Sequence, residues 1–129
     1  MIHHMHLNDD SFELVKSGKK SIEIRLFDEK RKKIKTGDTI IFSKVGDENQ
    51  KVSAKVLELY YFPSFEELFS TFPKTKFGHD KKLSLEEQIE MQRKIYSEDE
   101  EKKYGVLGIN IKLLDNLPEE GFSAASSNQ

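Results

Sequence analysis

The chain has 129 residues and no cysteine, which excludes disulfides, thiolate nucleophiles and sulfur-ligated metals. No apolar run approaches the roughly 20 residues needed to span a bilayer. The opening residues, MIHHMHLNDD, hold no long apolar stretch of the secretory kind. A cytoplasmic location with no membrane contact is therefore expected. Walker loops, G-x-G-x-x-G and a Ser-His-Asp order are also missing. Ser21 and Thr39, the hydroxyls a hydrolytic triad would draw on, have no histidine near them in sequence. A strong charge is lacking too: the net value of −2 argues against sequence-blind coating of nucleic acid, which calls for a clearly basic domain.

What is present is a balance of 34% charged and 36% hydrophobic residues, the composition of one soluble globular domain with a single modest core. Charge is unevenly spread. Between Lys16 and Lys44 ten Lys or Arg residues face four acids, a local balance of +6. Any anionic partner is expected to meet this first third of the chain.

The apolar pattern predicts a strand over Ile2–Leu7 and a short helix capped by Asp9 or Asp10 and stopped by Gly18. Ser21 to Phe27 alternates: Ile22, Ile24 and Leu26 read as core, while Ser21, Glu23, Arg25 and Phe27 form a polar face with an aromatic end. Gly37-Asp38 opens a strand over Thr39–Ser43 that is apolar on both faces. Val45 to Lys51 reads as a hairpin loop, and Val52 to Phe62 as a long strand whose apolar parity shifts near Val56, the mark of a bulge. Ser64 with Glu67, Ser84 with Glu87 and Ser97 with Glu100 are capping boxes for three helices. The second is expected to carry Leu85, Ile89, Met91, Ile95 and Tyr96. Val106 to Leu114 is the last strand, and residues 115–129 are expected to form a disordered tail. The order β-α-β-β-β, helices, β predicts an α+β domain over residues 1–114, an open barrel of five to six strands with short flanking helices. Its mouth is where a ligand is expected.

Glu23 and Arg25, two apart on one strand, have Cβ atoms about 6–7 Å apart, within reach of an ion pair. If exposed, such a pair contributes roughly 0–1 kcal/mol. In a barrel mouth the guanidinium can instead hold a phosphate or stack on a base, and the carboxylate can accept from an exocyclic amine. Lys19 and Lys20 follow a helix-ending glycine, where cations also interact favourably with the helix dipole. Lys30, Arg31, Lys32, Lys33 and Lys35 form a basic loop. His3, His4 and His6 lack a carboxylate beside them in sequence, so no metal site and no cofactor is expected. His79 reads as an ordinary loop histidine. Tyr60, Tyr61, Phe62, Phe65, Phe69, Phe72 and Phe77 are mostly core, with one or two available as a stacking wall; Tyr96 and Tyr104 are weaker candidates.

The run Leu14-x-x-x-Gly18-Lys19-Lys20-Ser21-Ile22-Glu23-Ile24-Arg25, then Gly37-Asp38, then Tyr104-Gly105-Val106-Leu107-Gly108-Ile109, resembles the ASCH domain family, related in fold to the PUA domain. The resemblance covers roughly residues 5 to 114. It implies a β-barrel whose cleft, lined by the motif's lysine, glutamate and arginine, binds RNA or a nucleotide. With the neighbouring cations and hydroxyl read above, the expected ligand contacts are Lys19, Lys20, Ser21, Glu23, Arg25, Lys32 and Lys33. One branch of similar proteins deacetylates N4-acetylcytidine with the motif lysine, a threonine three residues later and a downstream glutamate. Lys20 matches that lysine, Glu23 stands at the threonine position, and Glu66, Glu67, Glu86 and Glu87 are the choices for the glutamate. Were the chain such an amidohydrolase, Lys20 and Glu23 would be its catalytic residues. A protein-interaction module built on the acidic helices of residues 84 to 103 is the third expectation.

Overall fold

The computed structural model describes residues 1–118, so most of the expected tail lies outside the described residues. The elements run β1 (Ile2–Leu7), α1 (Asp9–Lys16), β2 (Ile22–Leu26), β3 (Thr39–Lys44), β4 (Asp47–Phe62), α2 (Phe65–Thr71), α3 (Leu85–Arg93), α4 (Glu98–Tyr104) and β5 (Val106–Leu113). Among the described residues no helix is long and apolar enough to cross a membrane. The five strands form one curled half-barrel sheet in the order β1-β3-β4-β5-β2. β1 runs parallel to β3, and every other pairing is antiparallel. This is the expected α+β, PUA-like architecture.

Curvature gives the sheet two cores. On the concave side Met5, Leu7, Ile40, Phe42, Ala54, Val56, Leu107, Ile109 and Ile111 close over Phe12 and Val15 of α1 and Ile34. On the convex side Ile22, Ile24, Leu26 and Val106 pack beneath Phe65, Leu68, Phe69 and Phe77. Burying each such side chain stabilises the fold by about 1.5–3 kcal/mol. β4 changes register between Val56 and Glu58, the bulge expected from its parity, and this bends the long strand so that it serves both cores.

Local expectations needed four corrections. Ser64 caps α2 by accepting from Glu67 N–H, without the return bond that completes the boxes of α3 and α4. The cap of α1 is Asn8, whose side chain accepts from Ser11 N–H, with Asp9 and Asp10 falling in the first turn. The β3–β4 connection is the tight turn Val45-Gly46, because Gly46 takes φ 87° and lets β4 begin at Asp47. α3 ends at Arg93, before Ile95 and Tyr96. The following capping box needs Ser97 extended, at ψ 162°, and a helix continued through Tyr96 would leave no residues for that turn.

The strand order leaves β1 and β2 as the two edges, and they do not pair with each other. Their opposed edges, with α1 on one side and the α3–α4 connection on the other, bound an open cleft. β5 holds the convex layer close through Gly108, where an added Cβ would meet Leu68 Cδ1 at 3.1 Å and Ile22 Cγ2 at 3.5 Å. Gly108→Val is expected to destabilise the domain by about 1–3 kcal/mol through overpacking. Urea denaturation should show a lower midpoint at unchanged slope; an unaltered midpoint would mean that α2 is free to move away.

Candidate functional site

Gly18 turns left-handed at φ 80° after α1, and Lys20 N–H then donates to Leu14 C=O at 3.0 Å. This hooks the chain back before β2 and points Lys20 along the strand. In the β2–β5 register Glu23 lies opposite Ile109 and Arg25 opposite Leu107, so both project toward the concave side beside apolar neighbours. Lys20 Nζ reaches Glu23 Oε1 at 2.7 Å, and Arg25 Nε reaches Oε2 at 2.8 Å. Each carboxylate oxygen thus receives one cation. Arg25 Nη2 also donates to His6 C=O at 2.9 Å, bridging β2 to β1 across the opening.

Glu23 is only 3% exposed. Burial pushes its carboxyl pKa up, but the charges and hydrogen bonds of Lys20 and Arg25 outweigh this and hold it below the ordinary 4.5. The group is therefore a buried anion that needs both partners.

These residues floor a cleft of about 980 Å³. Its α1 wall carries Asp10, Glu13 and Leu14; its far wall carries Met91, Ile95 and Tyr96, and Lys19 and Lys94 also line it. The far wall arises from an inversion of α3, which buries Gln88 and Gln92 and leaves Met91 40% exposed, and from the turn after it, where Ile95 is 61% exposed. Tyr96 stacks on Phe65 with ring centroids 5.9 Å apart and planes at 22°. Burial raises its phenol pKa, so it is a neutral aromatic face at pH 7. His79 completes the lining. Gln88 Nε2 donates to its Nδ1 at 3.0 Å, which puts the proton of the neutral ring on Nε2. Burial, aided by the charge of Lys20, lowers its pKa to about 4.

The structure thus gathers Lys19, Lys20, Glu23 and Arg25, and leaves the other expected contacts elsewhere. Ser21 is outside the lining; its N–H donates to Lys76 C=O and its C=O accepts from Ile111 N–H. Lys32 pairs with Glu29 at 3.0 Å and lies over the Phe27 ring, and Lys33 is exposed in the same loop. Neither of those two lysines lines the cleft. Glu66, Glu67, Glu86 and Glu87 are also outside it, and Glu87 closes the cap of α3. In the acidic helical half Glu101 is buried, accepting from Phe65 N–H and from Arg93 at 2.7 Å each. The fold also places carboxylates that spacing did not, Asp38 beside His3 and Glu48 beside His6. His79, read as a loop residue, and the Met91–Ile95 wall were missed. The wall's one signal was Met91, out of step with Leu85 and Ile89 on α3, with Ile95 following beyond its end; no spacing marked His79.

Removing one partner from a buried ion cluster costs about 3–5 kcal/mol, against roughly 0–1 for an exposed pair. Lys20→Met and Arg25→Ala are therefore each expected to lower stability well beyond the exposed-pair value in denaturant titrations. A loss under 1 kcal/mol for both would show Glu23 to be solvated. His79, with a folded pKa below its unfolded 6.5, contributes stability that is full above pH 6.5 and lost as pH falls toward 4. His79→Gln should flatten the melting-temperature profile across that window; an identical slope in both proteins would contradict this.

Comparison with curated proteins finds no match. Among solved structures the chain is similar to the crystal structure of hypothetical protein PH0355, at 40% identity and a TM-score of 0.77, covering 88% of this chain and 100% of that one. It is also similar to the solution structure of protein PF0455 from Pyrococcus furiosus, at 36% identity and 0.68, covering 90% and 100%. The crystal structure of ASCH from Zymomonas mobilis, at 12% identity, 0.59, and coverage of 86% and 66%, shares the fold. The ASCH domain model matches residues 5–115, a span that includes the whole Lys20–Glu23–Arg25 cluster and both edges of the cleft. The chain belongs to the ASCH domain family.

Proposed function

We propose that this domain binds one nucleotide unit, free or splayed out of a single RNA strand, in the cleft between β1 and β2. The carrying observation is that the partly buried Lys20–Glu23–Arg25 cluster, with Glu23 buried at its centre, lines one cleft together with Tyr96, Ile95 and Met91. Two cations around one carboxylate leave a single positive excess, suited to one phosphate. The opposite wall offers a face for a base, and base–aromatic stacking contributes about 1–3 kcal/mol per base. Four cationic side chains (Lys19, Lys20, Arg25, Lys94) are offset by three carboxylates (Asp10, Glu13, Glu23) in the lining. That near-balance suits a single nucleotide better than a run of backbone phosphates. The family's general association with RNA supports the same reading.

Titrations with the four nucleoside 5′-monophosphates and with a short single-stranded RNA test this. Binding at one site is expected, with a salt slope near that of one phosphate contact, about −0.7. Tyr96→Leu should weaken it by about tenfold or more through lost stacking, while Lys32→Ala and Lys33→Ala leave it unchanged. No chemical-shift change in cleft residues at millimolar monophosphate and RNA would overturn the proposal.

A further inference from the structure

The β2–β5 ladder has a definite phase. Ile111 N–H donates to Ser21 C=O at 2.9 Å, and Phe27 N–H donates to Gly105 C=O at 3.0 Å. In antiparallel pairing the bonded residues alternate, so Glu23 and Arg25 exchange main-chain bonds with Ile109 and Leu107 across the register. Ile22, Ile24 and Leu26 therefore turn their N–H and C=O groups to the opposite side, where no strand follows. The neighbouring segment pairs only with the approach to β2, through Lys20 with Phe77 and Ser21 N–H to Lys76 C=O. No other group among the described residues takes the main-chain N–H or C=O of Ile24.

Ile24 nevertheless lines the cleft. The whole residue is 8% exposed and its side chain belongs to the convex core with Phe65 and Leu68, so the polar groups it brings to the cleft are those of its main chain. This donor and acceptor lie between the two residues whose side chains make the charged floor. We infer that the free edge of β2 at Ile24 reads the hydrogen-bonding edge of a bound base, its N–H meeting a ring acceptor and its C=O meeting a ring or exocyclic N–H. The inference rests on the nucleotide reading and adds the recognition element: neutral, directional groups that distinguish a base from a sugar or a bare phosphate. A free strand edge can also accept an extended peptide. Here Arg25 Nη2 crosses to His6 C=O between the two edges, along the path an added strand would follow, which favours a small planar ligand.

The decisive substitution is in the backbone. Replacing residue 24 by the α-hydroxy counterpart of isoleucine turns its amide into an ester and deletes one N–H. The same change at Leu26, another edge-facing residue that is not in the cleft lining, is the matched control, since each ester weakens one ladder carbonyl, that of Glu23 or of Arg25. Both proteins should melt alike. The ester at 24 is expected to bind the tightest of the four monophosphates about tenfold more weakly than the ester at 26, the effect of one hydrogen bond. The counterpart of that monophosphate methylated on its Watson–Crick edge should lose at least as much with the unaltered chain. Equal binding by the two esters, or undiminished binding of the methylated base, overturns the edge reading while leaving nucleotide binding intact. Failure of the unaltered chain to bind any monophosphate or RNA removes both.

Discussion

The site is organised around one carboxylate almost wholly withdrawn from water. Glu23 sits at the concave end of β2, level with Ile109, and an uncompensated charge there would cost more than the fold can tolerate. Lys20 and Arg25 neutralise it from opposite oxygens, and much else follows from that need. The left-handed Gly18 and the bond from Lys20 N–H to Leu14 aim the lysine. The second arm of Arg25's guanidinium, no longer free, ties β2 to His6 of β1. An ion cluster that would contribute little on a surface thereby holds together the two ends of an open sheet.

That open sheet is the second constraint. A five-stranded sheet curled this far would complete a barrel if its edges met, but the order β1-β3-β4-β5-β2 ends in two strands that remain apart. Unpaired edges are ordinarily hazards that proteins cover or blunt. Here they are recessed in a cleft, spanned by one arginine and roofed by α1 and the α3–α4 connection. α3 and the turn after it contribute by burying glutamines and exposing Met91 and Ile95, the reverse of what stability alone favours. Such a reversal beside a polar floor supports the proposed nucleotide site, since binding pockets combine an apolar wall with a few converging polar groups.

The electrostatics are those of recognition more than of attraction. Cations and carboxylates nearly balance around the cleft, and the basic loop of residues 30 to 35 does not join it. His79, held neutral by burial and by Lys20 and fixed in one tautomer by Gln88, adds a donor without adding charge. A ligand that fits such a surface gains from stacking and from matched hydrogen bonds, and only modestly from long-range steering.

The sequence by itself determined the elements whose cause is local. Alternation along residues 21 to 27, the three Ser-x-x-Glu caps, the turn glycines and the parity shift at Val56 depend on neighbours within a few residues, so helices, strands and the bulge were legible. The motif also made Lys20, Glu23 and Arg25 the candidate cluster. Tertiary structure alone decided that Glu23 is buried, because that depends on Ile109, which lies across a pairing of distant segments. It decided that Lys32 and Lys33 stay outside the cleft and that His79 and Tyr96 enter it. It also left the β2 edge unpaired. Strand order is set by which apolar faces can close on one another in three dimensions, and no spacing along the chain records that.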